Sequence, residues 1–91
     1  MSQQISRTFT IENEMGMHAR PAGLLVRTLG QFDVKATVEK DGMAVNAKSI
    51  LELIMLAAEK GSALKVEIEG DRAEDAMLEV AKLFEAKFNE P

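Results

Sequence analysis

The hydrophobic and polar positions of this chain alternate with a period of two in four segments, which predicts four β-strands. The segments are residues 8–12, 34–40, 43–45 and 64–69, and in each of them the apolar side chains would line one face. Between the second and third segments stands an Asp-Gly pair, residues 41–42. This dipeptide is typical of a two-residue hairpin turn, so these two strands are predicted to pair directly.

Helical spacing of apolar residues predicts a first helix between the first two strands. The apolar positions are Ala22, Leu25, Val26 and Leu29, which follow the i, i+3, i+4, i+7 pattern of a buried helical face. Gly30 comes directly after them, and we expect the helix to end near it.

Two further helices are predicted in the second half of the chain. Ser49 and Glu52 have the spacing of a capping box that opens a short second helix, which we expect to end at Gly61. Asp71 and Glu74 are predicted to cap a long third helix. Its core-facing stripe is Ala73, Ala76, Met77, Val80, Ala81, Phe84 and Phe88.

The predicted order of elements is therefore β-α-β-β-α-β-α within a single domain over residues 1–91. Because every strand alternates, the sheet should have one wet and one buried face, with all helices on the buried side. This is an α+β protein with an antiparallel or mixed sheet. The pattern also allows a ferredoxin-like arrangement of the first six elements, and it leaves the strand order open.

Composition excludes several classes of function. A net charge of −4 and the absence of tryptophan and tyrosine argue against a nucleic-acid partner. The chain has no cysteine and one histidine, so we expect neither thiol chemistry nor a metal site nor another cofactor. The first twenty residues hold no continuous apolar segment. We therefore expect no signal peptide and no membrane insertion, and a cytoplasmic protein.

The only histidine of the chain lies within residues 16–22, GMHARPA. His18 comes after a glycine turn at Gly16, and Pro21 suits the first turn of the helix, so His18 is predicted at the N-cap position. There the imidazole would face the free backbone N–H groups of Ala19 and Arg20 and the positive end of the helix dipole, with the guanidinium of Arg20 alongside. A nucleophile in such an anion-binding environment points to phosphate chemistry.

Residues 16–22, together with residues 46–50 (NAKSI) about thirty positions later, resemble the HPr family of phosphocarrier proteins of the bacterial phosphotransferase system. The resemblance covers essentially the whole chain. It implies an open-faced β-sandwich in which three helices cover one face of a four-stranded antiparallel sheet. It also leaves two branches open, namely sugar uptake and the nitrogen-type relay of the NPr proteins.

The same resemblance implies that His18 accepts a phosphoryl group from phospho-Enzyme I and passes it to a histidine of a IIA domain. The protein would then be an intermediate carrier and not a stand-alone catalyst. A neutral imidazole can attack phosphorus. Arg20 and the N–H groups of Ala19 and Arg20 can stabilise the phosphoryl oxygens without a metal ion.

Ser49 has two interpretations. It can act simply as the N-cap of the second helix. In some HPr proteins, however, the matching serine is phosphorylated by a dedicated HPr kinase/phosphorylase, whereas in others no such kinase acts. An alternative function follows, in which the chain is a regulatory binding module that acts through Ser49 and an apolar patch and not through phosphoryl transfer.

The second helix is too apolar to bury all of its side chains, which predicts an exposed patch that docks partner proteins. A relay protein must keep such a docking face free, so we expect a monomer. The residues predicted to contact partners are Met17, Leu24, Arg27, Lys48, Ile50, Leu51 and Ile54.

Overall fold

The computed structural model describes residues 3–91. The predicted order of strands and helices is confirmed, with one additional short left-handed turn after the third helix. The elements are β1 Gln3–Thr10, α1 Ala19–Leu29, β2 Val34–Lys40, β3 Met43–Asn46, α2 Ile50–Met55, β4 Ala63–Gly70, α3 Ala73–Glu85 and the turn Lys87–Asn89.

The four strands form one antiparallel sheet in the order β1-β4-β2-β3. Strands β1 and β2 both pair with β4, so they run parallel to each other, and α1 connects them. β1 is an edge strand, whereas a ferredoxin-like sheet keeps its first strand inside, so that alternative is excluded. Cross-strand pairs such as Phe9–Leu64 and Val38–Val66 line the buried face. The fold is therefore the predicted α+β open-faced sandwich.

The predicted hairpin between β2 and β3 is confirmed by its backbone angles. Asp41 has φ 51° and Gly42 has φ 87°, and two successive positive φ angles are typical of a type I′ turn. The pair Lys40–Met43 closes the ladder on either side of this turn.

The predicted end of the second helix is wrong. Helix α2 ends at Met55, and Ala57 has φ 51°, although alanine is a strong helix former. The chain turns away because the carbonyl of Ala58 accepts a hydrogen bond from the backbone N–H of Met17, at 2.9 Å. A contact between segments far apart in sequence thus overrides the local helical preference.

The predicted caps of the third helix are also wrong, although its core stripe is confirmed. The N-cap residue is Arg72 in the left-handed conformation (φ 64°), without a side-chain capping bond. The N–H of Glu74 donates instead to the side-chain oxygen of Gln3, at 3.3 Å. The buried residues of α3 are Ala73, Ala76, Met77, Val80, Ala81 and Phe84.

Phe88 belongs to the core, but it lies beyond the end of α3. Its ring is buried edge-on against Phe84, with ring centroids 4.9 Å apart, and Phe84 in turn stacks on Phe9 at 4.5 Å. The three rings join β1, α3 and the final turn. This aromatic cluster fixes the segment that follows Phe88 against the body of the protein.

Candidate functional site

His18 is the N-cap residue of α1, as the sequence predicts. Two tight backbone contacts hold the loop before it: the N–H of His18 donates to the carbonyl of Gly16 at 3.0 Å, and Met17 donates to Ala58. Gly16 has φ +71°, and a Cβ atom there would lie 2.4 Å from the Ala58 oxygen. Only glycine fits this position, so the motif glycine is required by the approach of two backbone segments.

The imidazole of His18 contacts a carboxylate that the sequence analysis missed. Both side-chain oxygens of Glu90 lie 3.0 Å from Nε2 of His18. The Glu90 side chain is only 8% exposed, whereas that of His18 is 36% exposed. The two residues are 72 positions apart, and no local motif marks the glutamate. The only sequence signal near it is the apolar Phe88 of the core stripe.

A second missed residue, Asn13, links the carboxylate to the histidine loop. Its side chain is fully buried, and its amide nitrogen Nδ2 donates to Glu90 Oε1 at 3.0 Å and to the carbonyl of Gly16 at 2.8 Å. The backbone N–H of Glu14 donates to the carbonyl of Pro91 at 2.8 Å. The last residues of the chain are thereby held against the loop that carries His18.

The pKa of Glu90 lies below its ordinary value, and the main cause is its hydrogen bond with His18. Partial burial opposes this shift, while the hydrogen bond from Asn13 and the positive charges of His18 and Arg20 reinforce it. The carboxyl group is therefore ionised at neutral pH and accepts hydrogen bonds without donating any.

We expect the substitution Glu90→Gln to reduce the loss of stability in acid. A carboxyl group whose pKa is lower in the folded state adds stability that is present above its ordinary value of 4.5 and lost as the pH falls through the folded-state pKa. Urea unfolding measured at several pH values below about 5 should therefore show a shallower decline for Glu90→Gln than for the wild type. Glu85→Gln, which alters an exposed glutamate of α3, should decline like the wild type. Equal slopes for Glu90→Gln and the wild type would contradict this assignment.

Arg20 and the start of α1 lie on the exposed side of the site. The guanidinium of Arg20 is exposed, and its Nη1 is 4.0 Å from Glu90 Oε2. Within residues 3–91, the backbone N–H groups of Ala19 and Arg20 make no hydrogen bond to another protein group. These two N–H groups, which were predicted to bind an anion, are therefore free to donate hydrogen bonds to a ligand next to the imidazole.

Ser49 is the N-cap of α2, and its Oγ accepts a hydrogen bond from the N–H of Glu52 at 3.2 Å. The reciprocal half of the predicted capping box does not form. The carboxylate of Glu52 accepts from the N–H of Asn46 at 3.0 Å, while the N–H of Ser49 donates to the Asn46 carbonyl. The hydroxyl thus has a structural role, and its regulatory phosphorylation stays a prediction.

The predicted docking patch is exposed on α2 but not at Met17. Met17 is buried in the core, because the backbone contact between its loop and Ala58 turns its side chain inward. Its assignment to the patch is therefore wrong. Met55, which was not among the predicted contact residues, is also exposed on α2. The exposed apolar residues of α2 are Ile50, Leu51, Ile54 and Met55, which we call the α2 patch.

The other residues predicted to contact partners differ in exposure. Leu24 is half-buried and packs against the core, and Arg27 is exposed. Lys48 is half-buried, and its Nζ donates to the carbonyl of Phe32 at 3.1 Å. Lys48 therefore joins the start of α2 to the chain after α1, and its contact with a partner stays a prediction.

The fold is an open-faced sandwich that carries an accessible histidine at the N-terminus of a helix. Comparisons with known proteins identify the family that has this combination of fold and site. Residues 5–86 match the family described as PTS HPr component phosphorylation site. The chain belongs to this HPr family. None of the helices within residues 3–91 is long and apolar enough to cross a membrane.

Individual relatives resemble the chain over nearly its whole length. Phosphocarrier protein HPr of Xylella fastidiosa (strain Temecula1) is 38% identical over 94% of this chain and 97% of its own. Phosphocarrier protein NPr of Escherichia coli (strain K12) is 37% identical over the same shares. The crystal structure of HPr-C-His from Thermoanaerobacter tengcongensis superposes with a TM-score of 0.91 at 41% identity, covering 96% of this chain and 98% of that one.

Proposed function

We propose that this protein accepts a phosphoryl group on His18 from the phosphohistidine of Enzyme I and passes it to a histidine of a IIA domain. One observation carries the proposal: an accessible imidazole stands at the N-cap of α1 beside two free backbone N–H groups and Arg20. These groups can stabilise a trigonal phosphoryl group as it moves between two nitrogens. The cytoplasmic location expected of such a relay is part of the same proposal.

Nδ1 is the nitrogen of His18 that would take the phosphate, because Glu90 occupies Nε2. The lone pair on Nδ1 attacks phosphorus while the N–P bond of the donor breaks, and the donor nitrogen leaves with its electron pair. No proton needs to move on this chain during the transfer. Onward transfer to the second protein reverses these bond changes at Nδ1, with the histidine of that protein as the new acceptor. A shallow site that holds the phosphoryl group weakly therefore suits a carrier.

The test of this proposal is incubation with the cognate Enzyme I and phosphoenolpyruvate, followed by intact mass measurement. We expect one phosphoryl group per chain, which is lost in acid and transferred when a IIA domain is added. Absence of a mass gain would contradict the carrier function. It would favour the alternative, a regulatory binding module that acts through Ser49 and the α2 patch.

The α2 patch is the surface that we expect Enzyme I to contact, since it is apolar and α2 packs beside α1, which carries His18 at its start. Truncation of its most exposed side chain, Leu51→Ala, should raise the KM for Enzyme I by about tenfold with little change in the rate at saturation. Leu78→Ala is the matched control, because Leu78 is also an exposed leucine but lies on α3. Equal KM values for the two variants would contradict this docking surface.

A further inference from the structure

The segment that carries Glu90 has a backbone that few sequences adopt. Lys87, Phe88 and Asn89 have φ angles of 52°, 54° and 59°, so three successive residues with side chains form a left-handed turn. Each such residue costs about 1–2 kcal/mol relative to the right-handed conformation. Burial of the Phe88 ring against Phe84 offsets part of this cost. The turn directs the next residue, Glu90, into the site.

The buried amide of Asn13 can be oriented in only one way. Its two hydrogen-bonding neighbours, the Glu90 carboxylate and the Gly16 carbonyl, are both acceptors, so the NH₂ group must face them. The amide oxygen then has no protein partner. An unpaired buried oxygen is costly. The orientation persists because the two donated bonds hold the carboxylate and the histidine loop together.

An ionised carboxylate has no hydrogen to donate, so the hydrogen between Glu90 and His18 belongs to Nε2 of the ring. In the neutral imidazole the lone pair is then on Nδ1. A carboxylate that fixes the tautomer and orientation of a reactive histidine is a known device in other catalytic sites. Here the same contact also covers Nε2, the second nitrogen that could react.

We propose that Glu90, held by Asn13, is a positioning residue that keeps the proton of His18 on Nε2 and directs phosphorylation to Nδ1. This inference rests on the proposed function of His18. Glu90 lies outside residues 5–86, over which the chain matches the family. After transfer, the phosphorylated ring keeps its Nε2–H, which the carboxylate continues to accept.

Potassium phosphoramidate tests the inference without any partner protein. Its P–N bond breaks as ammonia leaves with the electron pair, and a new N–P bond forms on the imidazole. The rate is followed by intact mass, and the phosphorylated nitrogen is identified by ¹⁵N and ³¹P NMR. We expect the wild type to react at Nδ1 alone, with the unmodified ring protonated at Nε2.

The substitution Glu90→Ala should slow this reaction about tenfold, which corresponds to the loss of one charge-assisted hydrogen bond. It should also allow a second product, phosphorylated at Nε2. Glu90→Gln retains an oxygen that can accept from Nε2–H, so we expect a rate within about threefold of the wild type and mainly the Nδ1 product. Glu85→Ala removes an exposed glutamate outside the site and should behave as the wild type.

A structural role alone would change the melting temperature of Glu90→Ala but not the site of phosphorylation. An unchanged rate with only the Nδ1 product in this variant would overturn the inference. So would a faster reaction, because it would mean that the carboxylate chiefly repels the incoming phosphate. The phosphoramidate results are independent of Enzyme I. If they hold while wild-type protein takes no phosphate from Enzyme I, the proposed function fails and the role of Glu90 stands.

Discussion

Replacement of His18 by alanine should abolish acid-labile phosphorylation by Enzyme I completely while the fold persists. His18 is the only histidine, so no other imidazole in the chain can form the acid-labile N–P bond of a phosphohistidine. The imidazole makes no capping hydrogen bond and is partly exposed. We therefore expect only a modest fall in melting temperature, due mainly to the lost hydrogen bond with Glu90.

The measurement is intact mass after reaction with Enzyme I and phosphoenolpyruvate, with circular dichroism to verify folding. Ser49→Ala is the appropriate control, because it removes the other predicted phosphorylation site, and it should retain the full acid-labile gain. Persistence of the gain in His18→Ala would refute the assignment. Sensitivity of that residual phosphate to hydroxylamine would then indicate a carboxylate as the acceptor.

The parts of the structure that sequence reasoning predicted correctly depend on local patterns. The alternation of residues 34–40 predicts β2. The Asp-Gly pair determines the turn that follows it, because these two residue types adopt the positive φ angles that the turn requires. His18 at the N-cap follows from the glycine before it and Pro21 after it. In each case the residues within one turn of the chain decide the conformation.

The parts that sequence reasoning missed depend on contacts between distant segments. Helix α2 stops early because Ala58 bonds to the loop of His18, and no residue in α2 indicates that bond. Likewise, Glu90 reaches the imidazole only because Phe88 is anchored in the core after a left-handed turn. The histidine itself was therefore predictable from sequence, whereas the carboxylate that contacts it was not.

Asn13 is a second residue whose role depends on contacts between distant segments and not on local sequence. In sequence it is an ordinary polar residue after a strand, where a turn is common. In the structure its side chain is fully buried, and both of its amide hydrogens are used. Its importance could not be predicted because one partner, Glu90, is 77 positions away.

Two backbone segments of the site approach each other closely at Gly16, and Gly16→Ala should destabilise the protein strongly. A side chain at φ +71° costs about 1–2 kcal/mol. The new Cβ would also lie 2.4 Å from the Ala58 oxygen and 3.0 Å from the Glu59 Cα, and relief of such overlap costs about 1–3 kcal/mol more. Neither neighbour is a flexible side chain, so one backbone segment must move.

In thermal unfolding, we expect Gly16→Ala to melt roughly 10–25 °C below the wild type, since each kcal/mol corresponds to several degrees in a domain of this size. The displaced loop carries His18, so phosphoryl transfer should fall as well, even at temperatures where the variant is folded. Gly23→Ala is the matched control, because Gly23 lies within α1 and a Cβ there meets no atom within 4 Å. That control should gain about 0.5–1 kcal/mol, as alanine favours the helix. A melting temperature of Gly16→Ala close to that of the wild type would contradict this prediction. It would show that the loops of Gly16 and Ala58 can separate without loss of stability, and that the glycine does not hold His18 in place.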